Sequence, residues 1–154
     1  MSEWNRTTKE VSVEDLPSEV AAAIRRHIEQ YNLGPLLADA LMCIQTDSQK
    51  TKGWLFGQPE SVQMAAVLTP RWLVWSVDEP KAGAAVLSAQ LIDVTVQDYA
   101  QTPLADMMPD SGIQVNGTFT GASESANAFI GVDQGAAGNR FRKLVIKTVA
   151  DAKK

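Results

Sequence analysis

Val67-Leu68-Thr69-Pro70-Arg71-Trp72-Leu73-Val74-Trp75-Ser76-Val77 is two apolar runs, rich in β-branched and aromatic residues, split by Thr69-Pro70-Arg71. Such residues favour a pleated, half-buried surface. Proline lacks an amide donor and has a fixed φ, so it belongs in a turn or at an edge rather than in a central strand. The stretch therefore reads as a hairpin. Because side chains alternate along a strand, Trp72 and Trp75 fall on opposite faces.

Downstream, Asp78-Glu79-Pro80-Lys81-Ala82-Gly83 supplies a turn, and residues 84–99 carry an alternation that decides the class. Ile92, Val94 and Val96 share one face, and Asp93, Thr95 and Gln97 the other, as in a strand with one wet side. Asp93 and Asp98 suggest an acid/base pair by type. Their odd separation puts them on opposite faces of a regular strand. Gln101–Asp110 is a proline-punctuated loop whose Leu104, Met107 and Met108 are expected to tuck beneath it as a satellite cluster. Ile113–Phe119 alternates again, with Asn116-Gly117 either a hairpin turn or a glycine bulge. Ala128–Val132 is a last strand, after which Asp133 is placed as an N-cap. Phe141, Leu144, Val145, Thr148, Val149 and Ala152 then recur at steps of three and four, marking a helix with an apolar stripe. Gly131, Gly135 and Gly138 fit neither the Rossmann nor the Walker spacing, and read as small residues at a helix entry.

Upstream, residues 1–11 read as a loose arm carrying Trp4. A helix begins near Pro17 or Ser18, where proline at a first helical position is tolerated. Val20, Ile24, His27, Ile28 and Tyr31 make its stripe, and Asn32-Leu33-Gly34-Pro35 ends it. His27, the single histidine, is expected as a packed ring, and no metal set forms around it. Leu36–Gln45 reads as a strand with Cys43 as a small core residue, and residues 46–53 as a polar, flexible run. Trp54-Leu55-Phe56-Gly57 is a short strand or an aromatic loop tip, and Val62–Leu68 is a secure strand.

The chain has 154 residues, 45% hydrophobic and 21% charged, which suits one soluble domain with its own core. One cysteine cannot form an internal disulfide. The polar opening has no apolar h-region, and no apolar run nears the roughly 20 residues that span a bilayer. The expected location is cytoplasmic. Net charge is −4, unevenly spread. Residues 78–132 hold seven carboxylates against Lys81 alone, whereas residues 133–154 hold six cations against Asp133 and Asp151. An acidic body disfavours general nucleic-acid binding, and the basic end reads as a solvated helix face.

Leu68-Thr69-Pro70-Arg71-Trp72-Leu73 resembles the Leu-Thr-x-x-Arg-Leu hairpin of bacterial pleckstrin-homology-like (PH-like) and GRAM-type domains, with Trp72 intervening between the arginine and Leu73. Asp110-Ser111-Gly112-Ile113 and Phe129-Ile130-Gly131-Val132 are similar to segments of small bacterial PH-like proteins of unknown function. The resemblance spans residues 36–152. It implies an α+β, mainly β fold: a PH-like antiparallel barrel of about seven strands capped by a C-terminal helix. The domain then divides into an N-terminal arm and amphipathic helix (1–35, an addition), the barrel (36–132) and the capping helix (133–154).

The family implies no enzyme and no cofactor. The expected function is a non-catalytic interaction module that binds another protein or itself, the self-bound form being a homodimer. Trp4, Trp54 and Phe56 are the aromatics that motivate it, Trp54 and Phe56 being its candidate contact residues, because aromatic residues are enriched at interfaces. The alternative is a membrane or phospho-headgroup binder whose loop after the first barrel strand offers Lys50 and Lys52, with Arg71 nearby. Each basic residue near an anionic surface adds only about 1 kcal/mol, so three cations are a thin case. A small-ligand carrier or enzyme is the remaining class.

Overall fold

The computed structural model describes residues 4–50, 61–79 and 83–154. The expected class holds at its coarser level: the protein is α+β, mainly β, with two antiparallel sheets and helices against both faces of the larger one. The larger sheet runs in chain order through β1 (Trp4–Glu10), β2 (Met42–Lys50), β3 (Ser61–Leu68), β4 (Trp72–Glu79) and β5 (Gly83–Gln90). The smaller comprises β6 (Val94–Asp98), β7 (Gly112–Thr118) and β8 (Ser125–Gly131). Helix α1 (Ser18–Gln30) lies between β1 and β2 in the chain, α2 (Leu104–Met107) between β6 and β7, and α3 (Ala136–Ala152) at the end.

The β3–β4 hairpin forms as its sequence suggests. Thr69 Oγ1 accepts from the amides of Arg71 and Trp72, closing the turn around Pro70. Trp75 enters the inner core with Met42, Ile44, Leu68 and Leu73, while Trp72 packs on the outer face beside Val67 and Val74. Both faces of the larger sheet are thus buried. Inside, the smaller sheet contributes Val94, Ile113, Val115 and Ile130, and α3 contributes Phe141, Val145 and Val149. Outside, α1 lays Val20, Ala21 and Ile24 on Cys43, Ala65, Val67 and Val74. Each such large apolar side chain removed from water contributes about 1.5–3 kcal/mol. The α1 stripe packs on its own chain, against β4 and β5.

Helix α1 ends in a Schellman motif. Leu33 N–H donates to Ile28 O (2.9 Å) and Asn32 N–H to Glu29 O (3.2 Å), with Asn32 at φ 55°. The residue that takes the left-handed position is therefore Asn32, two ahead of Gly34.

Several expectations are corrected. The N-terminal arm is strand β1, paired with β2 from Trp4↔Lys50 to Glu10↔Ile44. Its inward positions Arg6 and Thr8 are polar, so no hydrophobic alternation marks it. Leu36–Asp39 is a 3-10 turn, and the strand begins at Met42 and continues to Lys50 through the run expected to be flexible. Thr46 and Ser48 are buried in that strand because β1 satisfies them: Thr8 Oγ1 bonds Thr46 Oγ1 at 2.8 Å, and Arg6 Nη1 donates to Ser48 Oγ at 2.7 Å. Leu91–Asp93 is a 3-10 corner that carries the chain from one sheet to the other, leaving Ile92 60% exposed while Val94 is buried. Asn116-Gly117 lies inside β7, paired with Asn127 and Ala126, so it is not a turn.

The two sheets are open, not a closed barrel. Between β1 and β8 the seam is joined by side chains. The Arg6 guanidinium reaches across Gly131 to Asp110, flanked by the rings of Trp4 (5.3 Å) and Phe129 (5.4 Å). Beside it, Asp133 Oδ2 accepts from Thr8 N–H (2.8 Å) and Thr8 Oγ1 accepts from Asp133 N–H (2.9 Å). Asp133 is thus a bracket between the sheets, and Gly135 takes the N-cap position of α3.

Candidate interaction surface

The two described residues among those singled out for binding do not come together. Lys50 closes β2 opposite Trp4, its ammonium 6.0 Å from the indole centroid. Arg71 is exposed in the β3–β4 turn, next to Leu68, the partner of Met42. Lys50 and Met42 are the two ends of β2, so Lys50 and Arg71 stand about 25 Å apart at the rise of an extended chain. Lys52, Trp54 and Phe56 lie outside the described residues.

Among the described residues, His27 and Ser88 form a nucleophile–base pair. His27 Nε2 and Ser88 Oγ are 2.7 Å apart, and the Ser88 hydroxyl donates onward to Thr120 Oγ1 at 2.7 Å. With its single proton so used, Ser88 accepts from an Nε2–H imidazole. Ser88 is sealed in the core, out of a substrate's reach, and burial lowers the His27 pKa. The trio works as a latch joining α1, β5 and the β7–β8 loop. Cys43 is likewise inert: burial, helped by the charge of Glu14, pushes its thiol up to about 12. Asp98 pairs with Arg142 (Oδ2 to Nε, 3.6 Å) and accepts from Ala100 N–H, whereas Asp93 is exposed in the 3-10 corner, so the two carboxylates do not converge. Among the described residues no group of three or more His, Cys, Asp or Glu could hold a metal ion. No described helix is long and apolar enough to cross a membrane.

The basic C-terminal end differs from a plain solvated face. Arg142 is buried, donating to Asn139 Oδ1 (2.6 Å) and to the carbonyls of Val132 and Asp133. Arg140, Lys143 and Lys147 do face solvent.

A cleft of about 610 Å³ opens at the start of α1, lined in part by Ser18, Glu19, Asp47, Gln49 and Gln63. A helix start attracts anions, but Glu19 and Asp47 oppose them, so this cleft has the wrong charge for a phosphate.

Among the described residues, three of the exposed large apolar side chains are neighbours in the chain. Leu104, Met107 and Met108 were expected to be tucked under their loop, yet they are 47%, 83% and 64% exposed. Leu104 and Met107 lie in the α2 turn and Met108 is its C-cap, so the three follow one another on one short turn. The turn is held from beneath. Tyr99 is buried edge-on to Phe129, its hydroxyl donates to Met108 O at 2.6 Å, and Thr102 Oγ1 donates to Tyr99 O at 2.7 Å. The backbone is anchored in the core while three large apolar side chains stand in water. Apolar residues scattered singly are normal on a monomer's surface, whereas three adjacent ones form a contiguous apolar feature. Methionine suits that role, being unbranched and polarizable.

Comparisons of the chain with models of known protein families, with curated proteins and with solved structures find no match.

Proposed function

We propose that this chain is a non-catalytic interaction module of PH-like organisation, meeting a protein partner through Leu104, Met107 and Met108. The observation that carries the reading is the exposure of these side chains on a turn whose backbone is fastened to the core. Leaving them in water has no folding advantage, whereas a partner that covers them gains about 25 cal/mol per Å² of apolar area removed from water.

The PH-like organisation is supported by the order of elements: strands in two antiparallel sheets, then a terminal helix whose Phe141, Val145 and Val149 fill the space between them. A non-catalytic role is supported by the burial of Ser88 beside His27. The headgroup alternative is weakened by the separation of Lys50 from Arg71.

Photo-cross-linking tests the reading. A benzophenone amino acid at position 107 should give adducts of defined mass with a protein, and the same probe at exposed Thr95 should give few. No adduct from position 107, or equal yields from both positions, overturns it.

A further inference from the structure

The α2 knob belongs to an acidic stretch of the chain. From residue 82 to residue 139 the chain has no Lys or Arg, and it has Asp93, Asp98, Asp106, Asp110, Glu124 and Asp133. Asp98 and Asp110 are turned onto Arg142 and Arg6, which leaves Asp106 as the exposed carboxylate within the knob.

The complementary surface lies along α3. Leu41, Met42 and Leu144, with Glu10, Arg140, Lys143 and Lys147, line a groove of about 470 Å³ between the helix and the β1–β2 end of the larger sheet. Leu41 is about half exposed there. Arg140 is paired with Glu10 and Lys147 with Asp151, whereas Lys143 has no carboxylate partner among the described residues. The groove is apolar along its length, cationic at its margin, and carries one spare positive charge.

We propose that the knob of one copy seats in this groove of a second copy: Leu104, Met107 and Met108 against Leu41 and Leu144, and Asp106 beside Lys143. The inference rests on the reading of the knob as the contact surface, and names its partner. Charge complementarity selects a second copy, because this chain carries a segment with all the groove asks for: apolar, acidic and already exposed. Strand β6, which leads toward the knob, meets the same helix through Asp98 and Arg142, and the groove lies along that helix at Lys143 and Leu144. Two such contacts exchanged about a two-fold axis close a dimer with no unmatched face.

Sedimentation equilibrium of the purified full chain at low salt tests this, at concentrations up to about 1 mM, the weak end of specific affinity. Wild type should sediment at twice the monomer mass, with dissociation rising with salt. Met107→Glu should be monomeric, with the melting temperature of dilute, dissociated wild type because the side chain is exposed. Asp106→Lys alone should be monomeric, and so should Lys143→Glu/Lys147→Glu. Mixed together, those two should dimerise again, since both of their reciprocal contacts regain opposite charges. Monomeric wild type throughout, a dimer that survives Met107→Glu, or a mixture that stays monomeric overturns the proposal. If the photo-probe at position 107 then captures a different protein, the interaction-module reading stands and self-recognition alone falls. If it captures nothing, both fall.

Discussion

The guanidinium of Arg6 grips the carboxylate of Asp110 with two parallel hydrogen bonds, Nε to Oδ1 at 2.9 Å and Nη2 to Oδ2 at 2.8 Å. The side chains are 8% and 18% exposed. The pair spans the chain from β1 to the start of β7, and it joins two sheets that share no ladder hydrogen bonds at this seam. A planar fork is needed to meet both oxygens while lying between the Trp4 and Phe129 rings. Arg6→Ala and Asp110→Ala should each destabilise by about 3–5 kcal/mol, because each leaves a largely buried charge alone. Arg6→Lys should fail to restore stability. Urea midpoints for Arg6→Lys near wild type would show that charge alone holds the seam.

Gly138 sits in the first turn of α3, where a Cβ would collide with the carbonyl oxygen of Asp133. In an open helix, Gly→Ala stabilises by about 0.5–1 kcal/mol. Here the backbone cannot retreat, since Asp133 is bound to Thr8 across the seam. Gly138→Ala should therefore lower stability, and a raised melting temperature would contradict this packing.

The stripe of α1 is satisfied within its own chain, Ile24 being wholly enclosed. Ile24→Asp should cost about 4 kcal/mol or more, the range reached by burying an unpaired charge. Its signature is loss of stability. A variant of wild-type stability whose only change is in mass would place this face in an interface instead.

His27 gives the fold a pH dependence of defined sign. Burial depresses its pKa below the unfolded value of about 6.5, so the unfolded chain binds the proton more readily. Stability is full above that value and declines as pH falls from about 6.5 through the folded pKa. His27→Gln should flatten the stability profile between about pH 6.5 and 5, above the range where ordinary carboxylates titrate. An unchanged slope in the variant would assign the titration to another group.

How much of this was legible in the sequence depends on what each residue touches. The α3 stripe and the opposed faces of Trp72 and Trp75 were readable because local period alone sets them. Strand β1 was not, since Arg6 and Thr8 face inward and find partners more than a hundred residues away at Asp110 and Asp133. Thr46 and Ser48 read as flexible for the same reason. Ile92 left its expected face because the corner at residues 91–93 rotates it out of register. The exposure of Met107 and Met108 follows from Tyr99 fastening the loop from below, and no local pattern encodes that contact. Of the candidate site residues, Lys50 and Arg71 were named from order along the chain, whereas antiparallel pairing sends them to opposite ends of a strand.

The methionine methyl resonances test the central claim most directly. In a carbon-13 methyl spectrum, the signals of Met107 and Met108 should shift and broaden as protein concentration rises, while that of core Met42 stays fixed. Addition of Lys143→Glu/Lys147→Glu protein labelled with carbon-12, whose groove repels Asp106, should leave the Met107 and Met108 signals in place. If the Met107 and Met108 signals are unmoved by concentration, and unmoved when cell extract is added, the knob is not a contact surface.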